Sequence, residues 1–306
     1  MTGLSKRKFK DFVFALVIGG SLILGVPALE RATAPKPSVS VSARELLLSV
    51  FDVGQGDALL AQEGDKQILI DGGPDDTVLE KLGNVMPSGD REIDLVILTH
   101  PHADHINGLV SVLARYKVDR VLTTDVATQS SRFRRWRELI AASNIPVDDP
   151  RQVKIETVGG MEFDILNAGN EAGIRGSEHD GSTDGLNDSS IVGMLKFGAR
   201  RFLLMGDATM LMEEKIMASG SDLHADLLKV AHHGSRYSTS EKFIDAVEPR
   251  YAAVSVGAKN SFGHPAWRVL QLLKDKAIAT YRTDQNGTIT AVTDGNSLQV
   301  SSERLK

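Results

Sequence analysis

The chain has 306 residues, a length that suits one large domain or two small ones. With 42% hydrophobic and 25% charged residues, its composition is that of an ordinary globular protein. The formal net charge of −5 excludes a protein that binds nucleic acid through a basic charge spread over its whole surface. It does not exclude a local basic groove. The absence of cysteine excludes disulfides and thiolate metal sites.

The N-terminal residues predict a segment that directs the chain to a membrane. Several lysines and an arginine precede the apolar run Phe12–Leu29, which approaches the roughly 20 residues that a spanning helix needs. We expect residues 1–30 to be a signal anchor or a cleaved signal peptide, and residues 31–44 to be a linker. A buried core helix is a third interpretation of the run. Positive charge before the segment predicts a membrane-anchored domain outside the cytoplasm, or a secreted one after cleavage.

From residue 45 onward, short apolar runs alternate with helical patterns. Runs at 45–53, 57–62 and 66–71 predict strands separated by glycine turns. The continuous apolar run 93–99 predicts a strand covered on both faces, and 105–116 has helical spacing. Further strands are predicted at 118–124, 190–197, 200–207, 225–231, 251–258, 277–282 and 287–293, and helices at 209–219, 239–247 and 265–274. This order predicts an α/β domain over residues 45–306, with helices outside its sheets.

Three histidines and an aspartate fall within the six residues that follow the strand 93–99, in the pattern H-x-H-x-D-H. Neutral imidazole is the commonest metal ligand, and crowded imidazoles would repel one another if protonated. Any one histidine taken alone is better explained as a surface or core residue. The cluster, with alternating side-chain directions, predicts two adjacent metal positions. Other candidate ligands also follow predicted strands, where an α/β sheet delivers its loops: Asp207, His232, His233 and His264.

The H-x-H-x-D-H motif, the strand that ends in Asp71-Gly72-Gly73 and the later "LLMGD" resemble the metallo-β-lactamase-fold hydrolases. Several stretches are similar, in the same order, to the hydrolase domain of the ComEC competence proteins, which take up DNA. These are "FDVGQGDALLAQ", "ILIDGG", "LTHPHADHINGL", "RFLLMGDA", "LLKVAHHGSRYSTS", "SVGAKNSFGHP" and "YRTDQNGTI". The resemblance implies an α/β protein of the αββα four-layer sandwich type, with two mixed sheets face to face and metals at one sheet edge.

The resemblance also implies two divalent metal ions, zinc or manganese, and a set of ligands for them. Asp104 and Asp207 are the expected catalytic carboxylates, and Asp71 is expected to orient a ligand histidine. His264 is the first choice to complete the second metal, with His232 and His233 as alternatives. The other expected ligands are His100 and His102 for the first metal, Asp104 and His105 for the second, and Asp207 for both.

The sequence departs from the superfamily pattern before the strand 190–197, where a further histidine is usual. The interval holds His179, in the polar loop 167–188, and we expect it to be a solvated loop residue. The first metal then lacks a protein ligand, which the "AHHGS" stretch or water would supply. Histidine and aspartate ligands alone do not distinguish zinc from manganese.

Two stretches suggest a substrate that carries phosphate. Ser235, Ser238 and Thr239 precede a predicted helix start, where hydroxyls and N–H groups bind phosphate, although N-capping is the plainer interpretation. Arginines alternate with aromatic residues in "SSRFRRWRELI" at 130–140, a pattern that suits single-stranded nucleic acid and includes Arg134 and Arg135. An amphipathic helix with a solvated basic face is the alternative.

Together these patterns predict a phosphodiesterase or nuclease that cleaves single-stranded DNA with a hydroxide activated by two metal ions. One alternative is an exported phosphodiesterase that acts on an envelope polymer, similar to phosphorylcholine esterases; another is a non-catalytic metal-binding scaffold. A single apolar segment cannot form an uptake pore, so association with a DNA-uptake machinery is the expected partnership. The sequence leaves open whether the turn 54–57 approaches the site and whether Lys229 is buried or faces phosphate.

Overall fold

Two mixed β-sheets are built from the apolar runs of the chain in the computed structural model, which describes residues 45–126, 128–169 and 185–304. The first sheet contains β1 (Leu46–Val50), β2 (Leu59–Glu63), β3 (Lys66–Ile70), β4 (Glu92–Leu98), β5 (Lys117–Thr123), β6 (Val147–Asp148), β14 (Ile289–Thr293) and β15 (Leu298–Ser302). Its strand order is β15-β14-β1-β2-β3-β4-β5-β6. The pairs from β3 to β6 are parallel, and the others are antiparallel.

The second sheet has the order β13-β12-β11-β10-β9-β8-β7. Its strands are β7 (Ile155–Val158), β8 (Met161–Ala168), β9 (Ile191–Phe197), β10 (Arg200–Leu204), β11 (Leu227–Lys229), β12 (Tyr251–Val254) and β13 (Ala279–Arg282). The pairs from β10 to β13 are parallel, so these strands end at the same edge of the sheet. The predicted strand 225–231 is shorter than expected because the chain turns at Ala231–Gly234.

Seven α-helices lie in the described part of the chain. They are α1 (Thr77–Val85), α2 (Ala103–Leu113), α3 (Ser131–Ala142), α4 (Met210–Ala218), α5 (Glu241–Val247), α6 (Trp267–Asp275) and α7 (Thr283–Asn286). Three apolar clusters separate the layers. One lies between the sheets, and the other two pack α1–α3 on the first sheet and α4–α6 on the second. The order of layers is therefore helix, sheet, sheet, helix, as the family resemblance implied.

Helix α2 packs unusually close to the turn that follows β3. A Cβ atom on Gly108 would collide with the carbonyl oxygen of Gly72, and the Gly72 N–H donates to the carbonyl of His105 over 2.8 Å. Glycine permits this approach because it carries no side chain. The contact holds the first turn of α2, with its histidine, against the end of the neighbouring strand.

The predicted N-terminal segment Phe12–Leu29, the linker 31–44 and His179 all lie outside the described residues. Within the described ranges, the structure has no helix that is both long and apolar enough to cross a membrane.

Candidate metal centre

The H-x-H-x-D-H stretch leaves the end of β4 and enters the first turn of α2. The apolar strand ends at Leu98, and His102 is the N-cap residue of the helix. His100 and His105 are fully buried, whereas the Asp104 side chain is 31% exposed. The loop therefore turns His100 and His105 into the protein and leaves the Asp104 carboxylate within reach of solvent.

The remaining candidate ligands arrive from the second sheet. Asp207 follows β10, His232 and His233 follow β11, and His264 follows β12. Because β10, β11 and β12 are parallel, their following loops meet at one edge, opposite the loop after β4. The centre is thus assembled from both sheets.

Two groups of side chains share Asp207. In the first, the Nε2 atom of His100 lies 3.9 Å from Oδ2 of Asp207 and 2.8 Å from Nδ1 of His102. In the second, Nε2 of His105 lies 3.4 Å from Oδ1 of Asp207, and Nε2 of His233 lies 3.3 Å from Oδ2 of Asp104. The potential ligand atoms of each group lie within 4.8 Å of one another.

Unpartnered atoms mark the second group as a place for a cation. His105 Nε2, His233 Nε2 and Asp207 Oδ1 are buried and have no hydrogen-bond partner among the described residues. Leaving buried polar atoms without a hydrogen bond is costly, and one divalent ion would satisfy all three. Imidazole nitrogen and carboxylate oxygen together suit zinc or manganese. The His and Asp groups at this edge are therefore able to bind metal.

Buried partners fix the direction of the ligand histidines. Nδ1 of His105 lies 2.8 Å from Oδ2 of Asp71. The Thr99 N–H donates to Oδ1 of Asp71, and the Thr99 hydroxyl donates to Oδ2. Nδ1 of His233 lies 3.0 Å from the carbonyl oxygen of Ser255. If each Nδ1 carries the proton, each Nε2 is left free to bind a cation. The position of Asp71 fits the orienting role expected from the sequence.

In the metal-free centre, the buried carboxylates favour protonation of the neighbouring histidine, at the place that a cation would occupy. Burial acts to raise the pKa of Asp207, but the charges of His233 and His105 outweigh burial and hold that pKa well below its ordinary value. Burial acts to lower the pKa of His233, yet Asp207, Asp104 and Asp57 together raise it to about 10. The centre concentrates negative charge, which either protons or metal ions compensate.

The structure does not support His264 as the first choice for the second metal. Its ring centroid lies 6.4 Å from that of His233 and 5.3 Å from that of His232, and the group around Asp207 contains His233 instead. Nε2 of His232 lies 3.9 Å from Oδ2 of Asp207, beside the first group. His232 and His233 have φ angles of 48° and 54°, and two successive left-handed residues bring both rings near one carboxylate. Sequence spacing carries no sign of this turn.

A buried ion pair that was not predicted from the sequence contacts His233 on the side of its ring away from Asp207. Nζ of Lys229 lies 2.7 Å from Oδ2 of Asp57, and Oδ1 of Asp57 lies 3.4 Å from Nδ1 of His233. All three side chains are buried. Lys229 therefore does not face a substrate phosphate, and the turn 54–57 does approach the site. The available signal was a lysine within an apolar strand, which needs a buried partner.

The structure places the three hydroxyl residues predicted to bind phosphate inside the protein. Ser235, Ser238 and Thr239 are buried, and the Ser238 hydroxyl donates to the carbonyl of Ala231 over 2.9 Å. The Thr239 N–H donates to the carboxylate of Glu213. These side chains brace the turn that carries His232 and His233, so a substrate would not reach them. The plainer interpretation also needs changing, because the N-cap of α5 is Ser240.

Helix α3 also differs from the nucleic-acid track expected at 130–140. Phe133 and Trp136 are 7% and 1% exposed, respectively, so their rings are not available to stack with bases. The Arg134 guanidinium donates to the carbonyl of Gln129, and Arg135 pairs with Glu138 on the surface. The alternative, an amphipathic helix with a solvated basic face, describes the structure. One arginine does lie near the centre, because Arg132 lines a hollow of about 300 Å³ together with His102 and Asn107.

Two face-to-face mixed sheets, with histidines and aspartates gathered at one edge, define a class of metal-binding hydrolase folds. Residues 51–258 match the metallo-beta-lactamase superfamily, and the chain belongs to that superfamily.

Among curated proteins, the chain is 30% identical to ComE operon protein 3 of Bacillus subtilis, over 79% of this chain and 32% of the relative. It is 27% identical to competence protein ComA of Neisseria gonorrhoeae, over 82% of this chain and 33% of the relative. The chain thus spans about a third of the length of these curated relatives. These matches confirm the resemblance to ComEC-type competence proteins.

A solved structure shares the fold at low sequence identity. Igni18, a metallo hydrolase from Ignicoccus hospitalis, matches with a TM-score of 0.51 and 14% identity, over 80% of this chain and 98% of Igni18.

Proposed function

We propose that this chain is a dinuclear metal-dependent phosphodiesterase that cleaves nucleic acid, with single-stranded DNA as the favoured substrate. The observation that carries the proposal is the pair of His/Asp groups that share Asp207. Its Oδ1 lies toward His105 and its Oδ2 toward His100, so one carboxylate can serve two cations.

The proposed ligands divide between the two positions. His100, His102 and Asp207 would hold the first ion, with His232 beside them, and Asp104, His105, Asp207 and His233 would hold the second. Two divalent ions at this edge would lower the pKa of an attacking water and neutralise charge that develops on a phosphate. In this proposal His264 borders the pair and is not one of the main ligands.

The chain's own residues supply positioning. Asp71 and the Ser255 carbonyl hold His105 and His233 through their Nδ1 atoms, so that both Nε2 atoms stay directed at Asp207. Asp104 is the partly exposed member of the second group, and it can contact both an ion and an incoming substrate. Its exposure makes it the candidate catalytic carboxylate beside Asp207.

Nucleic acid is preferred because one of the curated relatives, from Neisseria gonorrhoeae, is named a competence protein. We further propose that Phe12–Leu29 tethers the domain outside the cytoplasmic membrane, where a DNA-uptake machinery would present the strand. Protease added to spheroplasts would then degrade the domain; a protected domain would contradict the tether.

A substrate panel tests the activity. The chain is stripped of metal, reloaded with Mn²⁺ or Zn²⁺, and assayed on single-stranded DNA, RNA and bis-p-nitrophenyl phosphate, with Asp207→Asn as the inactive control. We expect metal-dependent cleavage of single-stranded DNA that is absent in Asp207→Asn. Cleavage of the small ester alone would move the assignment to an envelope phosphodiesterase. Tight metal binding with no cleavage of any substrate would indicate a scaffold.

A further inference from the structure

The loop between β12 and α6 presents one large aromatic side chain to solvent. Phe262 is 64% exposed, although burial of such a ring is favourable. Its loop is braced by the Asn260 side chain, whose Nδ2 donates to the carbonyls of Gly257 and His264, each over 2.8 Å. The Asn260 Oδ1 accepts from the N–H groups of Phe262 and His264. The ring is thus held out on a structured loop.

Phe262 stands at the border of the metal centre. Its ring stacks on that of His264, with centroids 5.8 Å apart and an interplanar angle of 24°. His264 lies 5.3 Å from the ring of His232, which in turn neighbours Asp207. The same loop is tied to the turn 54–57, because the Gly257 N–H donates to Gln55 over 3.1 Å. The exposed ring is therefore fixed relative to the candidate ligands.

We propose that Phe262 is a nucleobase platform: a base of the strand stacks on this ring while a phosphate of the same strand lies at the metal centre. The inference rests on the proposed nuclease function and narrows its substrate to strands with unpaired bases. Stacking on an aromatic side chain tolerates any base, since every base has a π face. Arg236 and Lys259, both exposed, place positive charge on the neighbouring segments, where it would attract phosphates.

Among the described residues, Phe262 is better placed for this role than the other aromatic candidates. Phe133 and Trp136, the rings expected from the sequence to stack, are buried in the core. Trp267 is 76% exposed, but the hollow that it lines with Glu241 and Lys276 includes none of the histidines of the centre. Trp267 therefore serves as a matched control: it is an exposed aromatic side chain close in sequence that lines a different hollow.

The test compares two fluorescent strands of equal length and charge, one of thymidine nucleotides and one of abasic nucleotides. Binding is followed by anisotropy and cleavage by gel, with the metal-loaded chain. We expect the parent to prefer the strand with bases, and Phe262→Ala to reduce that preference roughly tenfold, since stacking contributes about this much per base. Phe262→Trp should keep the preference, and Trp267→Ala should match the parent.

Phe262→Leu separates stacking from support of His264, because leucine keeps apolar volume against the imidazole but has no π face. Loss of the preference in Phe262→Leu supports the platform. An unchanged preference in Phe262→Ala, or equal losses on both strands, overturns it. If the parent binds and cleaves strands without regard to bases, the platform fails while the nuclease assignment stands. If the parent neither binds nor cleaves any strand, the nuclease assignment fails as well.

Discussion

The ammonium group of Lys229 on β11 lies 2.7 Å from the carboxylate of Asp57 in the turn after β1, and both side chains are buried. The pair therefore links the two sheets behind the metal centre. Burial acts to raise the pKa of Asp57, but the charge of Lys229 and contact with His233 hold it below its ordinary value. Asp57 is thus expected to be charged and to depend on Lys229 as its closest partner.

Replacing one partner of this pair should destabilise the protein strongly. In Lys229→Met, the buried Asp57 loses its closest cation, and we expect the free energy of unfolding to fall by about 3–5 kcal/mol. The double variant Lys229→Met, Asp57→Asn should recover part of the loss. Lys66→Met is the matched control, since Lys66 and Asp94 also approach to 2.8 Å but Lys66 is exposed, and its loss should be much smaller because water screens the pair. Urea denaturation measures all four proteins. Equal losses in Lys229→Met and Lys66→Met would contradict the account.

The ligand assignment predicts an order of metal loss. Asp207→Asn should lower the content of both ions, because Asp207 belongs to both groups. His233→Ala should lose more metal than His264→Ala, which lies at the border of the centre. His224→Ala, an exposed histidine outside these groups, should retain the parent content. Metal per chain is measured after dialysis. A larger loss in His264→Ala than in His233→Ala would reverse the assignment.

Metal binding should depend on pH through His233. Burial lowers its pKa, but the surrounding carboxylates raise it from 6.5 to about 10, so the metal-free protein holds a proton there at neutral pH. A cation must displace that proton, and affinity should rise between pH 6.5 and 10. The same proton stabilises the metal-free fold below pH 6.5, and this contribution is lost as pH rises through about 10. Titration calorimetry in buffers of different ionisation enthalpy counts the released protons. If metal binding releases as many protons from His233→Ala as from the parent, His233 is not the group that loses the proton.

Arg132 should contribute more to strand binding than its neighbours on α3. It lines the hollow beside His102, whereas Arg135 pairs with Glu138. Arg132→Ala should weaken binding of long single strands and reduce the slope of log K against log[salt] by about 0.7, the value for one phosphate contact. Arg135→Ala should change the slope less. Anisotropy titrations over a range of salt concentrations measure both slopes, and identical slopes in the two variants would place the strand elsewhere.

Local patterns were enough to predict where the H-x-H-x-D-H loop lies. The apolar run of β4 and the motif after it are contiguous, so the position of the loop at the end of a buried strand could be predicted from sequence alone. The partner of Lys229 could not, because Asp57 is 172 residues away and only the docking of the sheets brings them together. His233 could not be chosen over His264 because the choice depends on left-handed backbone at His232 and His233.

The basic stretch on α3 shows a different difficulty. Phe133 and Trp136 are three residues apart, a spacing that places both on one face of a helix. That spacing is as compatible with a core-facing stripe as with a stacking surface. Which one is correct depends on whether another layer covers the face, and here the first sheet and α2 do so.

Ligands for the proposed ions come from both sheets, with His105 following β4 and Asp207 and His233 following strands of the second sheet. An ion held by all three would bind only the docked sandwich and not its separated halves. The free energy of unfolding would then depend on metal concentration. It would rise by about 2.7 kcal/mol when free metal is at one hundred times its dissociation constant. Growth conditions that withhold the metal would thus remove activity and, at the same time, expose the chain to unfolding and proteolysis.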